Sequence, residues 1–158
     1  MKLRGFVCSG LGRAHIFMAQ PHYQNQFENL LGYTAWPGTL NVKVDEDSLE
    51  KYVALRTKSG VSSTGLNTLV LEKSESINLG DVHAKKIDGF ERDGSSFGGA
   101  TAFVAQINSD SGRKVDCAIL IPDLTRHVDV VEIISNHFLR EKLELENGDY
   151  VEILLFEN

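Results

Sequence analysis

Thr39 and Asn41 stand two residues apart in the stretch PGTLNV, which alternates as a strand. An extended backbone puts their hydroxyl and carboxamide oxygens on one face. A pair of neutral, hard oxygens is a minimal protein share of a Mg²⁺ site whose other positions go to phosphates and water. The same two side chains can equally cap a turn by bonding to nearby backbone, and their spacing alone does not choose. A second constellation, SGLGRAH at residues 9–15, breaks an apolar segment with Gly10 and Gly12. Closely spaced glycines can present backbone amides to phosphate oxygens, with Arg13 or His15 adding positive charge. A plain turn is the alternative. No Gly-Lys-Ser/Thr follows, so the loop is not a P-loop, and no helix-then-strand unit completes a dinucleotide fingerprint.

Two further segments carry polar groups beside apolar runs. In PDLTRHVDVVEII, Thr125 precedes a strand and Glu132 sits within it, either facing solvent or buried with a partner. In NHFLRE, Arg140 either clamps a phosphate or pairs with Glu141 or Glu144. Phe90 and Phe97 flank ERDGSS and either stack on a planar ligand or pack within the fold. The five histidines show no metal-ligand spacing, and no Ser-His-Asp order or nucleophile elbow occurs.

The elements that must position these groups are short. Strands are expected at Leu3–Cys8, resuming at IFM (16–18), and at 39–44, 68–72, 82–87, 101–107, 115–121, 128–134 and 149–156. Helices are expected at 22–31 and 45–56, with a helical turn in NHFLREKLEL. WPGT fits a type II turn, and TKSGVSSTGLN (57–67) reads as a flexible surface loop. Many short strands without βαβ alternation predict an all-β small barrel with short peripheral helices, in a single domain over residues 1–158.

Composition is that of an ordinary globular chain: 158 residues, 42% apolar and 24% charged, with a net charge of -6. The acidic balance argues against a duplex-DNA binder but leaves room for a local anion site. Cys8 and Cys117 lie in apolar runs and read as reduced, buried thiols. No signal peptide or membrane-length span is apparent, so a cytoplasmic location is expected.

Taken in order, SGLGRAHIFM, LLGYTAWPGTLNV, GFERDGSSFGG, CAILIPDLTRH and the VEII to LREKLELENGDYVEI block resemble the archaeal CTP-dependent riboflavin kinases over nearly the whole chain. That resemblance implies a six-stranded cradle-loop β-barrel that phosphorylates riboflavin to FMN with CTP and Mg²⁺. It implies nucleotide contacts at Gly10, Leu11, Gly12, Arg13, Ala14 and His15, and again at His137, Phe138, Leu139 and Arg140. It implies Mg²⁺ ligands at Thr39 and Asn41, and flavin contacts at Thr125 and Glu132. Glu132 then either anchors the ribityl chain or accepts the attacking hydroxyl's proton. The implied partners are riboflavin, FMN, CTP and CDP, with no nucleic acid or membrane and a monomeric state.

Several positions depart from the family pattern. The glycine loop usually reads GLGEG, whereas Arg13 and Ala14 stand here. The Thr125 to Glu132 interval is one residue shorter, the 45–86 region is longer, and no N-terminal helix-turn-helix is seen. A non-catalytic flavin or nucleotide sensor is therefore a second expectation. A barrel-type DNA-binding regulator, suggested by LELENGDYVEI, is a third and is disfavoured by the acidic charge.

Overall fold

Alternation builds the barrel wall. In β1 (Lys2–Cys8), Leu3 and Val7 are buried on one face while Arg4 and Phe6 face outward. The computed structural model describes every residue except Leu11, Arg13, Arg126 and Asn158. The other wall strands are β2 (Leu40–Val44), β6 (Ala100–Ser109), β7 (Lys114–Pro122), β8 (Val130–Ile134) and β9 (Tyr150–Leu155). They pair antiparallel in the order β6-β7-β8-β2-β1-β9, and β9 returns to β6 to close a six-stranded barrel. A short strand, β3 (Lys85–Ile87), takes the part of the β6 edge that β9 leaves free.

Inward-facing Leu3, Val42, Phe103, Ile119, Val131 and Ile153 belong to one apolar cluster. Residues on the opposite face of the wall, among them Ala102, Ala118, Leu120 and Ile134, form a second cluster with Tyr23 and Phe27. Those two aromatics lie one helical turn apart on α2 (Pro21–Leu31), which follows the short α1 (Ala14–Met18). Pro21 starts α2, and Gly32 ends it in the left-handed region, donating its N–H to Glu28 O. A separate hairpin, β4 (Phe90–Arg92) and β5 (Ser95–Phe97), stands beside the barrel.

The region between β2 and β3 is helical. Asp45 caps α3 (Glu46–Lys58), its carboxylate accepting from Ser48 N–H at 2.9 Å. Residues 68–72, expected as a strand, belong instead to helix α4 (Thr68–Glu75), capped by Asn67 and packed on α3 with a Lys73–Glu50 ion pair. IFM likewise lies in α1 and not in a strand. The expected 82–87 strand shrinks to β3, and Val82 makes only an isolated bridge to Glu157. WPGT is tighter than a type II turn: Gly38 N–H bonds to Trp36 O, two residues back, around Pro37. The 57–67 loop is not merely a solvated surface segment, because Ser59, Val61 and Ser63 are buried. The last helix, α5 (Leu139–Lys142), occupies the expected helical turn. Both cysteines are free thiols, and among the described residues no helix is long and apolar enough to cross a membrane.

Candidate functional site

Strand register assembles the site. Cys8 stands opposite Asn41, Asn41 opposite Glu132, and Glu132 opposite Leu120, giving one transverse row across β1, β2, β8 and β7. By alternation the row faces away from the barrel interior. The glycine loop, α1 and the β7–β8 connection rise around it, enclosing a cleft of about 790 Å³. Of the expected site residues, Gly10, Gly12, Ala14, His15, Thr39, Asn41, Thr125, Glu132 and Arg140 all line this cleft. Leu11 and Arg13 lie outside the described residues. His137, Phe138 and Leu139 do not reach the cleft; with Thr39 and Arg140 they border a smaller pocket of about 40 Å³ beside it. Leu139 is buried in the core, whereas Phe138 is exposed and stacks on Trp36, with ring centroids 5.0 Å apart.

Thr39 Oγ1 donates to Asn41 Oδ1 at 2.9 Å, so the two oxygens sit side by side at the cleft floor. Gly10 packs so closely over Asn41 that a Cβ there would overlap Asn41 Nδ2. The missing side chain therefore seats the carboxamide. No group of three or more His, Cys, Asp or Glu side chains able to hold a metal occurs among the described residues. Adjacent neutral oxygens, with one carboxylate next along the row, suit a hard cation such as Mg²⁺ that takes its remaining ligands from phosphate and water.

Arg140 is anchored at the root of the glycine loop. Its Nη2 donates to Cys8 O at 3.2 Å and to Asn147 Oδ1 at 2.8 Å, and Asn147 Nδ2 donates to Ser9 Oγ at 2.7 Å. Neither Glu141 nor Glu144 pairs with it, so its charge stands at the cleft edge. Burial raises the Cys8 thiol pKa, which keeps that group protonated and unreactive at neutral pH. Glu132 is half-buried, and burial raises its carboxyl pKa. It has no hydrogen-bond or ion-pair partner among the described residues, which sets it apart from the paired expectation. Thr125 is half-buried, and its Oγ1 accepts a long bond from His127 N–H at 3.4 Å.

A second, apolar cavity of about 280 Å³ opens on the other side of Glu132. Phe17, Met18, Tyr23, Ile87, Phe97 and Leu120 supply apolar wall. Ala14, Phe17, Thr39, Leu124 and Glu132 line both spaces. Phe90 and Phe97 stack on one another at 4.5 Å, and Phe97 alone of the pair lines the cavity. Sequence reasoning missed Phe17 and Leu124. The signal was the combination of an unpatterned apolar residue with a neighbouring polar motif: Leu124 is 86% exposed yet borders both spaces.

Comparison with known proteins adds to this geometry. The sequence model of the family described as "CTP-dep_RFKase: Domain of unknown function DUF120" matches residues 7–69 and 64–155. A protein named riboflavin kinase from Sulfolobus acidocaldarius is 35% identical over 158 residues, covering 99% of this chain and 82% of that protein. Another from Sulfurisphaera tokodaii is 34% identical over 158 residues, covering 99% and 96%. A third, from Thermoplasma acidophilum, is 30% identical over 154 residues, and this chain spans only 57% of its length.

Proposed function

The chain belongs to the CTP-dependent riboflavin kinase family, and from that premise we propose that it transfers the terminal phosphate of CTP to riboflavin, giving FMN and CDP. One observation carries the reading: a cleft that holds the glycine loop, Asn41 and Arg140 meets an apolar cavity at a shared wall that includes Thr39 and Glu132. Phosphates suit the first space and a planar apolar ring system the second, so the reacting atoms of two substrates would meet at that wall.

Phosphoryl transfer asks a protein chiefly for positioning and charge neutralisation. Backbone amides around Gly10 and Gly12 would hold phosphate oxygens, and Arg140 would offset their charge from the far edge. Thr39 and Asn41 would hold Mg²⁺, which when bound supplies further charge neutralisation and orientation of the phosphates. Tyr23, Phe17 and Phe97 would pack the isoalloxazine ring, leaving the ribityl chain directed to the shared wall. Its terminal hydroxyl oxygen forms the new bond to phosphorus, the bond to the departing CDP oxygen breaks, and the hydroxyl proton passes to the Glu132 carboxylate. A raised pKa makes Glu132 a better proton acceptor than an ordinary carboxylate.

The test incubates purified protein with riboflavin, Mg²⁺ and either CTP or ATP, followed by separation of the flavins. FMN formed with CTP is expected. FMN formed from ATP alone would change the donor, and tight flavin binding without FMN from either nucleotide would replace the kinase reading with that of a sensor.

A further inference from the structure

Arg56 is the largest fully buried side chain among the described residues, at 1% exposure, and lines neither cavity. Its hydrogen-bond acceptors are all uncharged. Nε donates to Ser63 Oγ at 2.8 Å, Nη2 to Ser62 O at 2.5 Å, and Nη1 to His127 O at 2.8 Å. The planar fork thus ties the segment after α3 to the connection between β7 and β8. That connection supplies Leu124, Thr125 and His127 to the cleft. His127 is held at both ends of its backbone: its carbonyl takes the guanidinium bond, and its N–H reaches Thr125 Oγ1. One helical turn earlier, Tyr52 OH donates to Val130 O at 3.0 Å, fixing the chain just before Glu132.

A buried cation is a poor way to gain stability alone, since an apolar side chain of like volume often does as well. What an apolar residue cannot do is fix two loops at set distances through one rigid fork, and lysine's three donors all radiate from a single rotatable nitrogen instead of from three nitrogens held in a plane. We infer that Arg56 is a positioning residue for the acceptor half of the site: through the His127 carbonyl it sets the Thr125 hydroxyl and the Leu124 rim, touching neither substrate. This rests on the reading above and on the flavin contacts that the family resemblance implies at Thr125 and Glu132: Thr125 borders the cleft, while Leu124 and Glu132 stand on the wall it shares with the riboflavin cavity.

The test compares wild type with Arg56→Lys, Arg56→Met and Ser63→Ala. Riboflavin affinity is read by quenching of flavin fluorescence, CTP affinity by calorimetry, and both KM values and kcat by turnover, beside thermal melts. Arg56→Lys is expected to weaken riboflavin binding about tenfold while the CTP Kd stays within about twofold, the pattern of a displaced positioning group. Arg56→Met should do the same or more, and Ser63→Ala less in the same direction. A purely structural role would lower apparent kcat with the folded fraction and leave both KM values alone; that result, or equal weakening of both ligands, overturns the inference. Should neither Arg56 variant fold, an unchanged riboflavin Kd in Ser63→Ala overturns it and a selective rise supports it. Wild type that neither binds riboflavin nor forms FMN overturns the reading of the site itself, a distinct failure.

Discussion

Glu132 is the only carboxylate among the described residues lining either cavity, and its burial has consequences for both rate and stability. Burial penalises the charged form, so the folded pKa lies above the unfolded one. Below the ordinary glutamate value of about 4.3 both states are protonated and the fold carries no penalty. As pH rises through the raised folded value, ionisation is resisted in the fold and stability is lost. Glu132→Gln should therefore melt above wild type at pH 7–8, with the gap closing in acid, as scanning calorimetry across pH would show. The same substitution should lower kcat by about a hundredfold to ten-thousandfold and abolish an acid limb of the pH profile that lies above the usual carboxylate range. An E132Q enzyme of full activity would remove Glu132 from proton transfer. Gly10 acts on a neighbour: a Cβ there displaces the Asn41 amide, so Gly10→Ala should weaken Mg²⁺-dependent nucleotide binding by about tenfold to a hundredfold, measured by calorimetric Mg²⁺ titration. That Thr39 and Asn41 share a face was legible in the sequence because strand alternation fixes it, whereas the face of Glu132 was left open and the roles of all three rested on the family resemblance. The places of Phe17 and Leu124 were not legible, since they come from a short helix and a loop folding over a wall that no local period encodes.

At the scale of elements, the apolar cavity depends on how α2 grips the β4–β5 hairpin. Tyr23 OH bonds to Gly98 O, and Gln26 pairs with both backbone groups of Asp88 at 2.7 and 3.0 Å. Gln26 lines neither cavity, so Gln26→Ala tests the grip without touching a ligand. It should cost about 1 kcal/mol of stability, because water can replace bonds that lie at the surface. It should also raise the riboflavin Kd and leave the CTP Kd unchanged; equal Kd values for wild type and variant would show that the hairpin needs no such anchor. This hairpin escaped the sequence reading although its signal was present: Asp93-Gly94, both at positive φ, make the two-residue turn between β4 and β5. Its strands are three residues long and largely polar, too short for alternation to register. The TLVLE segment failed for the opposite reason. Its β-formers favour a strand, but the Asn67 cap and packing against α3 decide for helix, a tertiary preference overriding a local one.

The whole molecule stands on the closure of its barrel. The wall strands were legible singly, yet their circular order was not, because β9 must find both β1 and β6 across the length of the chain. β9 also brings Val151, Ile153 and Leu155 into the core at 0%, 0% and 2% exposure. Burying such side chains is worth roughly 2 kcal/mol each, about 6 kcal/mol together. That is about two fifths of the upper end of the roughly 5–15 kcal/mol by which a domain of this kind is stable, and more than its lower end. Its loss also leaves two wall strands with open edges. A chain ending at Gly148 should therefore show no cooperative thermal transition and should bind neither riboflavin nor CTP. Removing only residues 157 and 158 is the control. Glu157 contributes a half-exposed ion pair to the Met1 amine and a bridge to Val82, worth at most about 1 kcal/mol, so residues 1–156 should melt cooperatively close to the full chain. Near-native melting of the 1–148 chain would mean that the barrel holds without β9, and that the site's outer row needs no closed wall behind it.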